Sequence, residues 1–514
     1  MKKRNNLVTI VLALSLMTGC RNSQKQNVHL QASAVQGDIV NTILYDKDDF
    51  FHIDFEKYPI GDTSLPIGVF DSGTGGLTVL KALVNYDRNN NQSLKKGRDG
   101  ELDFKKEAFI YLGDQANMPY GNYSEVAKED LLREHIIKDA QFLLGNQYFA
   151  RRSDTRAKRD KKPVKALVIA CNTATAYGKD HIEAFLQQAD TDIKVIGVID
   201  AGVRGTLEGI RKDEDAIVGV LATAGTVASK GYSNTLLKLK DELGYTGKIE
   251  VFSQGGVGIA EAVDEDPDYY DRALIKPRDS YKGPGLEGPY PIDRTLLDSY
   301  NFDFAKNKML CDGQEVDDCS NLQINDAENY VRYHLVSLLE QIRASKTTNQ
   351  LKSLILGCTH YPYLTQEINK VLQELYNHRT ADGGYRYRPF MAAQVALVDP
   401  ALDTAKELFA HLKAESLFNT GGNMGQSEFY ISVANRDNAN NVIDSLGRFP
   451  YAFKYGRNAG EIQQYVKVVP FSRNTISKAI LQRFKKQIPR VYELMETFNA
   501  SNEKCNTLTE DDRI

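Results

Sequence analysis

Long apolar runs are almost absent from these 514 residues. The one exception lies near the N-terminus, which excludes a polytopic membrane protein. An excess of one charge is absent too. Sixty-four Lys and Arg face 68 Asp and Glu for a net charge of −4, which argues against a scaffold that binds nucleic acid through bulk positive charge. The glycines at 73, 75 and 76 carry no following Lys-Ser/Thr and do not form a GxGxxG, so a nucleotide-binding loop is disfavoured. What is present is ordinary globular material. With 42% hydrophobic and 26% charged residues, the chain buries a real core, and wholesale disorder or collagen-like repetition is ruled out.

The single apolar run sets the expected compartment. Lys2, Lys3 and Arg4 precede Leu7–Met17, eleven residues interrupted only by Thr9 and Ser15. As a helix such a run rises about 16 Å, too little to cross roughly 30 Å of hydrocarbon. It reads as a removable secretory signal, and because it ends at Thr18-Gly19-Cys20 it resembles a bacterial lipoprotein signal, with Cys20 as the lipidated first residue of the mature chain. The following residues begin polar and lack sustained periodicity, which suits a tether.

One pattern occurs twice. Ile67-Gly68-Val69-Phe70 runs into Asp71-Ser72-Gly73-Thr74-Gly75-Gly76 and then into a helical run. Ile217-Val218-Gly219-Val220-Leu221 likewise runs into Ala222-Thr223-Ala224-Gly225-Thr226. Each is matched by a second apolar strand that delivers a cysteine at its carboxyl end: Ala166–Ala170 before Cys171-Asn172-Thr173, and Leu354–Gly357 before Cys358-Thr359-His360. Continuous Val/Ile/Leu runs alternating with helical patterns predict parallel α/β sheets, and ligands of such sheets bind beyond the carboxyl ends of the strands. Two such halves face to face present two cysteines to one cleft. Segments 88–106, 151–163 and 265–325 read as insertions. Within the last, Cys311 and Cys319 form a candidate local disulfide in an oxidising compartment; a metal pair is the weaker reading, since no His or matching CxxC accompanies them. Residues 471–499 predict a basic amphipathic helix that packs on the body, and Cys505 sits in a polar tail.

The strand ends carry the chemistry. A helix N-terminus after Cys171 or Cys358 favours the thiolate. Asp71 lies at a strand's carboxyl end, and His360 is placed to tune the Cys358 thiol. A lone buried cysteine is usually core; two in equivalent places argue for function.

The blocks IGVFDSGTGGLTVL (67–80), YLGDQANMPYG (111–121), ALVIACNTATAYG (166–178), VIGVIDAGVRG (195–205), VGVLATAGTVAS (218–229), LILGCTHYPYL (354–364) and LVDPALDTA (397–405) together resemble glutamate racemase, of the cofactor-independent aspartate/glutamate racemase family. The resemblance spans about 61–440. It implies two similar α/β domains related by pseudo-two-fold symmetry with the active site between them, two cysteines as opposed acid and base, an amino acid as substrate, and neither metal nor pyridoxal cofactor. It also implies that Asp71 and Ser72 hold the substrate's ammonium end and assist Cys171. Tyr120, Gly121, Asn172 and Thr173 would bind substrate, Thr359 would bind beside Cys358, and His360 would assist that thiol. Asp114 is either a helper or a structural hydrogen-bonding group. The family's usual glutamate helper falls in SQGGVGIAEAVDE (253–265), where Asp264 and Glu261 are the candidates.

The expected organisation is therefore a lipoprotein signal over 1–19, a tether over 20–60, a first racemase domain over 61–190 plus 366–470 with Cys171, a second over 191–365 with Cys358 and the 265–325 insert, and a C-terminal helix and tail over 471–514. The expected function is L/D-glutamate interconversion, linked to D-glutamate supply for peptidoglycan, on a membrane-anchored envelope lipoprotein. An aspartate or other amino-acid racemase, and a noncatalytic amino-acid-binding lipoprotein, stay open, as does an oligomeric state.

Overall fold

The computed structural model describes residues 34–313 and 318–514. The signal-like segment 1–19 and Cys20 lie outside the described residues. The strands, in chain order, are β1 Ile67–Asp71, β2 Phe109–Gly113, β3 Ala166–Ile169, β4 Lys194–Gly197, β5 Ala216–Ala222, β6 Ile249–Gly255, β7 Met309–Cys311, β8 Leu322–Ile324, β9 Leu351–Gly357, β10 Met391–Val398, β11 Glu428–Ala434 and β12 Val466–Pro470.

They build two principal sheets. The first has the order β12-β11-β2-β1-β3-β4, parallel except for β12 on β11; the second, β10-β9-β5-β6, is parallel throughout. Every residue of β1, β2, β3 and β5 is buried. That is why these segments read as unbroken apolar runs rather than alternating ones: helices cover both faces, and each fully buried large side chain gains about 1.5–3 kcal/mol. β7 and β8 form a separate hairpin inside the 265–325 insert, and Cys311 and Cys319 are joined there by a disulfide.

Helices Val198–Glu208 and Pro400–Ala414 carry the chain from the first sheet to the second and back. They pack against each other, and a Cβ on Gly202 would lie 2.9 Å from the Pro400 ring, so the absent side chain permits the close crossing. These two helices move the expected boundaries. A boundary at 191 assigns β4 to the second domain, yet β4 pairs with β3 and completes the first sheet. An assignment of 366–470 to the first domain misplaces β10, which pairs with β9 in the second. In each case the strand before a crossing helix belongs to the sheet it has just left.

Two further expectations need correction. Part of the expected tether folds: helix Ala34–Tyr45 packs on helix Glu129–Leu144 through fully buried Ile39 and Ile43. Phe50 stacks on Phe149, and the Tyr58 hydroxyl donates to the Val164 carbonyl at 2.7 Å. The C-terminal helix is two helices, Lys478–Gln487 and Pro489–Ser501, because Pro489 cannot continue the first but suits the opening turn of the second. Their apolar face, including Leu481, Phe484, Val491 and Met495, joins the first unit's core. Cys505 is fully buried there, and burial pushes its thiol up to about 12.

Candidate active site

Cys171 follows β3 and caps helix Asn172–Gln188. Its backbone is extended, and its sulfur accepts the Ala174 N–H at 3.4 Å. The thiol lies 3.7 Å from Ser72 Oγ. Asp71, at the end of β1, accepts the Gly73 and Gly76 N–H groups at 3.2 and 3.0 Å. Gly76 has no room for a side chain, since a Cβ would sit 2.5 Å from the Asp71 Cβ and 2.8 Å from the Ala170 Cβ. Burial raises the Asp71 carboxyl above its ordinary range and, with the Asp71 charge second, pushes the Cys171 thiol up to about 12. The helix N-terminus pulls the other way, through Ala174, and loses. The expected depression of this thiol is therefore not realised at its buried position, because desolvation outweighs the Ala174 and Ser72 donors.

Cys358 follows β9 but caps no α-helix. A 3₁₀ turn, Tyr361–Leu364, intervenes before helix Thr365–Asn377. Its neighbour is instead His360, whose Nδ1 lies 3.6 Å from the sulfur and 3.4 Å from Thr359 Oγ1. His360 Nε2 stands 3.3 Å from Asp264 Oδ1, an ion pair, and Arg483 Nη1 lies 2.8 Å from Asp264 Oδ2. Burial alone would lower the His360 pKa, but Asp264 and Cys358 outweigh it and lift it to about 10. Burial raises Asp264, and His360 and Arg483 more than reverse this, holding it below its ordinary value.

The two cysteine neighbourhoods meet. Asn172 Nδ2 donates to the Gly357 carbonyl at 3.1 Å, so the residue after the first cysteine bonds the residue before the second. The Tyr232 hydroxyl donates to Asn172 Oδ1 at 2.9 Å. A Cβ on Gly75 would lie 3.6 Å from Asp71 Oδ2 and 3.7 Å from Thr359 Oγ1, and one on Gly121 would lie 4.0 Å from the Gly225 Cα. Each repeated glycine turn thus faces a segment of the opposite unit, Gly75 toward Thr359 and Gly225 toward Gly121. Both thiols are 7% exposed.

Known proteins similar to this chain are glutamate racemases. A glutamate racemase of Levilactobacillus brevis is 28% identical over 367 residues, 71% of this chain and 86% of that one. One of Clostridium novyi is 24% identical over 375 residues, 73% and 94%. A solved glutamate racemase of Francisella tularensis in complex with D-glutamate is 23% identical, covers 72% of this chain and 88% of its own, and superposes with a TM-score of 0.38. No family model matches the chain.

The chain is similar to the glutamate racemases.

Against what that resemblance implies, Asp71, Ser72, Cys171, Cys358, Thr359 and His360 lie at the two facing strand-end clusters. Asp264 contacts His360, whereas Glu261 accepts the Gly258 N–H at 3.0 Å and caps its own short helix. Of the two helper candidates, the structure brings Asp264 to the imidazole. Asn172 commits both ends of its amide to the second unit, while Thr173 sits half-buried in the first turn of the same helix. Tyr120 turns its side chain into the protein. Its hydroxyl is 2.6 Å from a carboxylate oxygen of both Asp114 and Asp139. One hydroxyl proton cannot serve two carboxylates. Burial and then the Asp114 charge raise Asp139 well above its ordinary range, which favours the protonated form needed to share this contact. Asp114 also accepts from Asn117 and from Ser432 Oγ at 2.6 Å. It is structural, and the helper reading is corrected: its acceptor sites are already filled. Arg483 was not legible as a site residue, because its only sequence signal is one more cation on a basic helix.

Proposed function

We propose that the protein interconverts L- and D-glutamate by moving the Cα proton between Cys171 and Cys358. The observation that carries the reading is the Asn172–Gly357 hydrogen bond, which joins the residue after one strand-end cysteine to the residue before the other and so supports a site shared by the two units. A single base would return the proton to the face it came from, so inversion needs two groups on opposite faces. One thiolate takes the proton from Cα and leaves the bonding pair on carbon. The opposite thiol then delivers its own proton to the other face. Turnover ends with the thiols' protonation states exchanged, ready for the reverse reaction.

The Cα–H is a very weak acid, so the site must favour the carbanionic transition state over the ground state. A thiol pushed up to about 12 is seldom ionised, but its thiolate is a strong base. Substrate supplies what is missing on that side: its ammonium group pairs with Asp71 and brings a cation to the buried thiol. On the other side the cation is built in as His360. Burial of both thiols strengthens both interactions.

Deuterium incorporation at Cα, followed by NMR in D2O with the purified, reduced protein, tests the reading. L- and D-glutamate are compared with L- and D-aspartate. Exchange with loss of optical activity, abolished in both Cys171→Ala and Cys358→Ala, is the expected result. No exchange with any of the four by a folded protein that binds one of them would favour a binding protein instead.

We further propose that the protein works in the cell envelope on a lipidated Cys20, supplying D-glutamate for peptidoglycan. The signal-like N-terminus and the Cys311–Cys319 disulfide, a bond that persists in oxidising compartments, support this. Labelled palmitate should enter the wild-type chain and an envelope fraction should contain it; a Cys20→Ala chain that labels and fractionates identically would refute the anchor.

A further inference from the structure

We infer that Arg483 is a positioning residue that couples closure of the two units to the Cys358 half of the site. The inference rests on the racemase reading above and goes beyond it, since Arg483 lies outside every block that carries the resemblance.

Arg483 belongs to helix Lys478–Gln487, which is fixed to the first unit. Leu481 and Phe484 on the same helix are buried in that unit's core. The next helix, Pro489–Ser501, packs on helix Leu77–Val84 and on β11, and Arg490 donates to the Val84 carbonyl at 3.2 Å. Asp264 belongs to the other unit, ending the short helix Ile259–Val263 that follows β6. The 2.8 Å contact between Arg483 Nη1 and Asp264 Oδ2 therefore crosses the cleft.

What it crosses to is the support of a thiol. Asp264 Oδ1 faces His360 Nε2, and His360 Nδ1 faces the Cys358 sulfur, so a guanidinium of the first unit stands at the end of a line that terminates at the second unit's cysteine. Asp264 needs such a tether. Its Oδ1 makes an ion pair with His360 but no hydrogen bond, and its side chain is 25% exposed. Arg483 on Oδ2 supplies the second fixed point, so the carboxylate is held toward the imidazole by both of its oxygens. The remaining polar neighbour at this rim, Tyr363, is engaged from the first unit by Lys81, whose ammonium lies over its ring at 4.6 Å. When the units part, the Arg483 contact is broken with them, and Asp264 is released from His360 just as the site opens to water. The device thus completes the Cys358 half only in the closed state.

The test compares wild type with Arg483→Met and Arg483→Lys in two measurements. One is racemisation of glutamate. The other is carboxymethylation of Cys358 and Cys171 in the same sample by iodoacetate, followed by mass spectrometry, which needs no turnover and survives if glutamate is the wrong substrate. Arg483→Met is expected to slow Cys358 alkylation at least about threefold while Cys171 is unchanged, and to lower kcat about tenfold or more with KM little moved. Arg483→Lys should recover part of both, because the charge stays while the planar fork is lost. Cys358 alkylating at the wild-type rate in Arg483→Met overturns the inference, including the case where racemisation falls through general destabilisation. Wild type that racemises nothing would instead count against the proposed function alone.

Discussion

The two thiols occupy equivalent positions in two parallel sheets, yet their surroundings differ. Cys171 has a carboxyl, the Ser72 hydroxyl and backbone N–H donors of Ala174 and Ser72 beside it, and no cation among the described residues that shift its thiol. Cys358 has an imidazole held by a carboxylate that is itself held by a guanidinium. The architecture is repeated; the electrostatics are not. A reaction that runs both ways between mirror-image substrates needs two bases on opposite faces, but it does not need them to be tuned alike. One half takes its positive charge from the substrate and the other from the protein.

The largest test of that contrast is His360→Asn against Ser72→Ala. Loss of the imidazole should lower the racemisation rate by about 10²–10⁴, the usual value of a positioned acid–base group, whereas loss of the Ser72 hydroxyl, a 3.7 Å neighbour of Cys171, should cost about tenfold or less. Circular dichroism of the glutamate pool reads both, and equal losses would erase the asymmetry. Next in size is thiol reactivity in the wild-type protein. With the Cys171 thiol at about 12, iodoacetate at pH 8 should modify Cys358 at least about tenfold faster; mass spectrometry of timed samples would show the reverse order if the contrast were wrong.

The third test is stability against pH. His360 rises from 6.5 unfolded to about 10 folded, so its contribution is complete below about pH 6.5 and is lost as pH rises to about 10. Asp264→Asn should flatten the thermal-melting profile across that window, and a profile indistinguishable from wild type would place the imidazolium's support elsewhere. The smallest effect on activity belongs to Tyr120→Phe. Removing its hydroxyl from between Asp114 and Asp139 should cost about 1–3 kcal/mol of stability and change kcat less than about twofold. A large rise in KM would return Tyr120 to the substrate.

Much of this was legible in the residues. Apolar strands ending in Asp71, Cys171 and Cys358 announced both the parallel sheets and the positions of the chemistry, because a strand buried on both faces leaves an unmistakable run and its carboxyl end is where such sheets bind. The glycine turns marked where backbones approach. Side-chain direction was not legible. Tyr120 lies in a block that resembles a substrate-binding one, yet its ring turns inward, and sequence spacing within a loop does not fix a rotamer. Asp264 and Glu261 were equivalent on paper; only the helix they end and begin separates them. The edges of the domains were hidden for a related reason, since a crossing helix looks the same whichever sheet it leaves. Arg483 was beyond reach, because its partner is more than two hundred residues earlier in the chain.

The order in which the sheets draw on the chain has a consequence for how the protein folds. All four strands of the second sheet fall between Ala216 and Val398, an uninterrupted stretch, whereas the first sheet waits for β11 to return and pair with β2. Phe109 takes a hydrogen bond acceptor from Ser427, 318 residues downstream. Contacts that distant are slow to form, and a unit whose strands lie close together along the chain can complete its sheet before one whose strands do not. The half that carries Cys358 is therefore the one that can finish first, and the Cys171 half stays incomplete until β11 returns to β2.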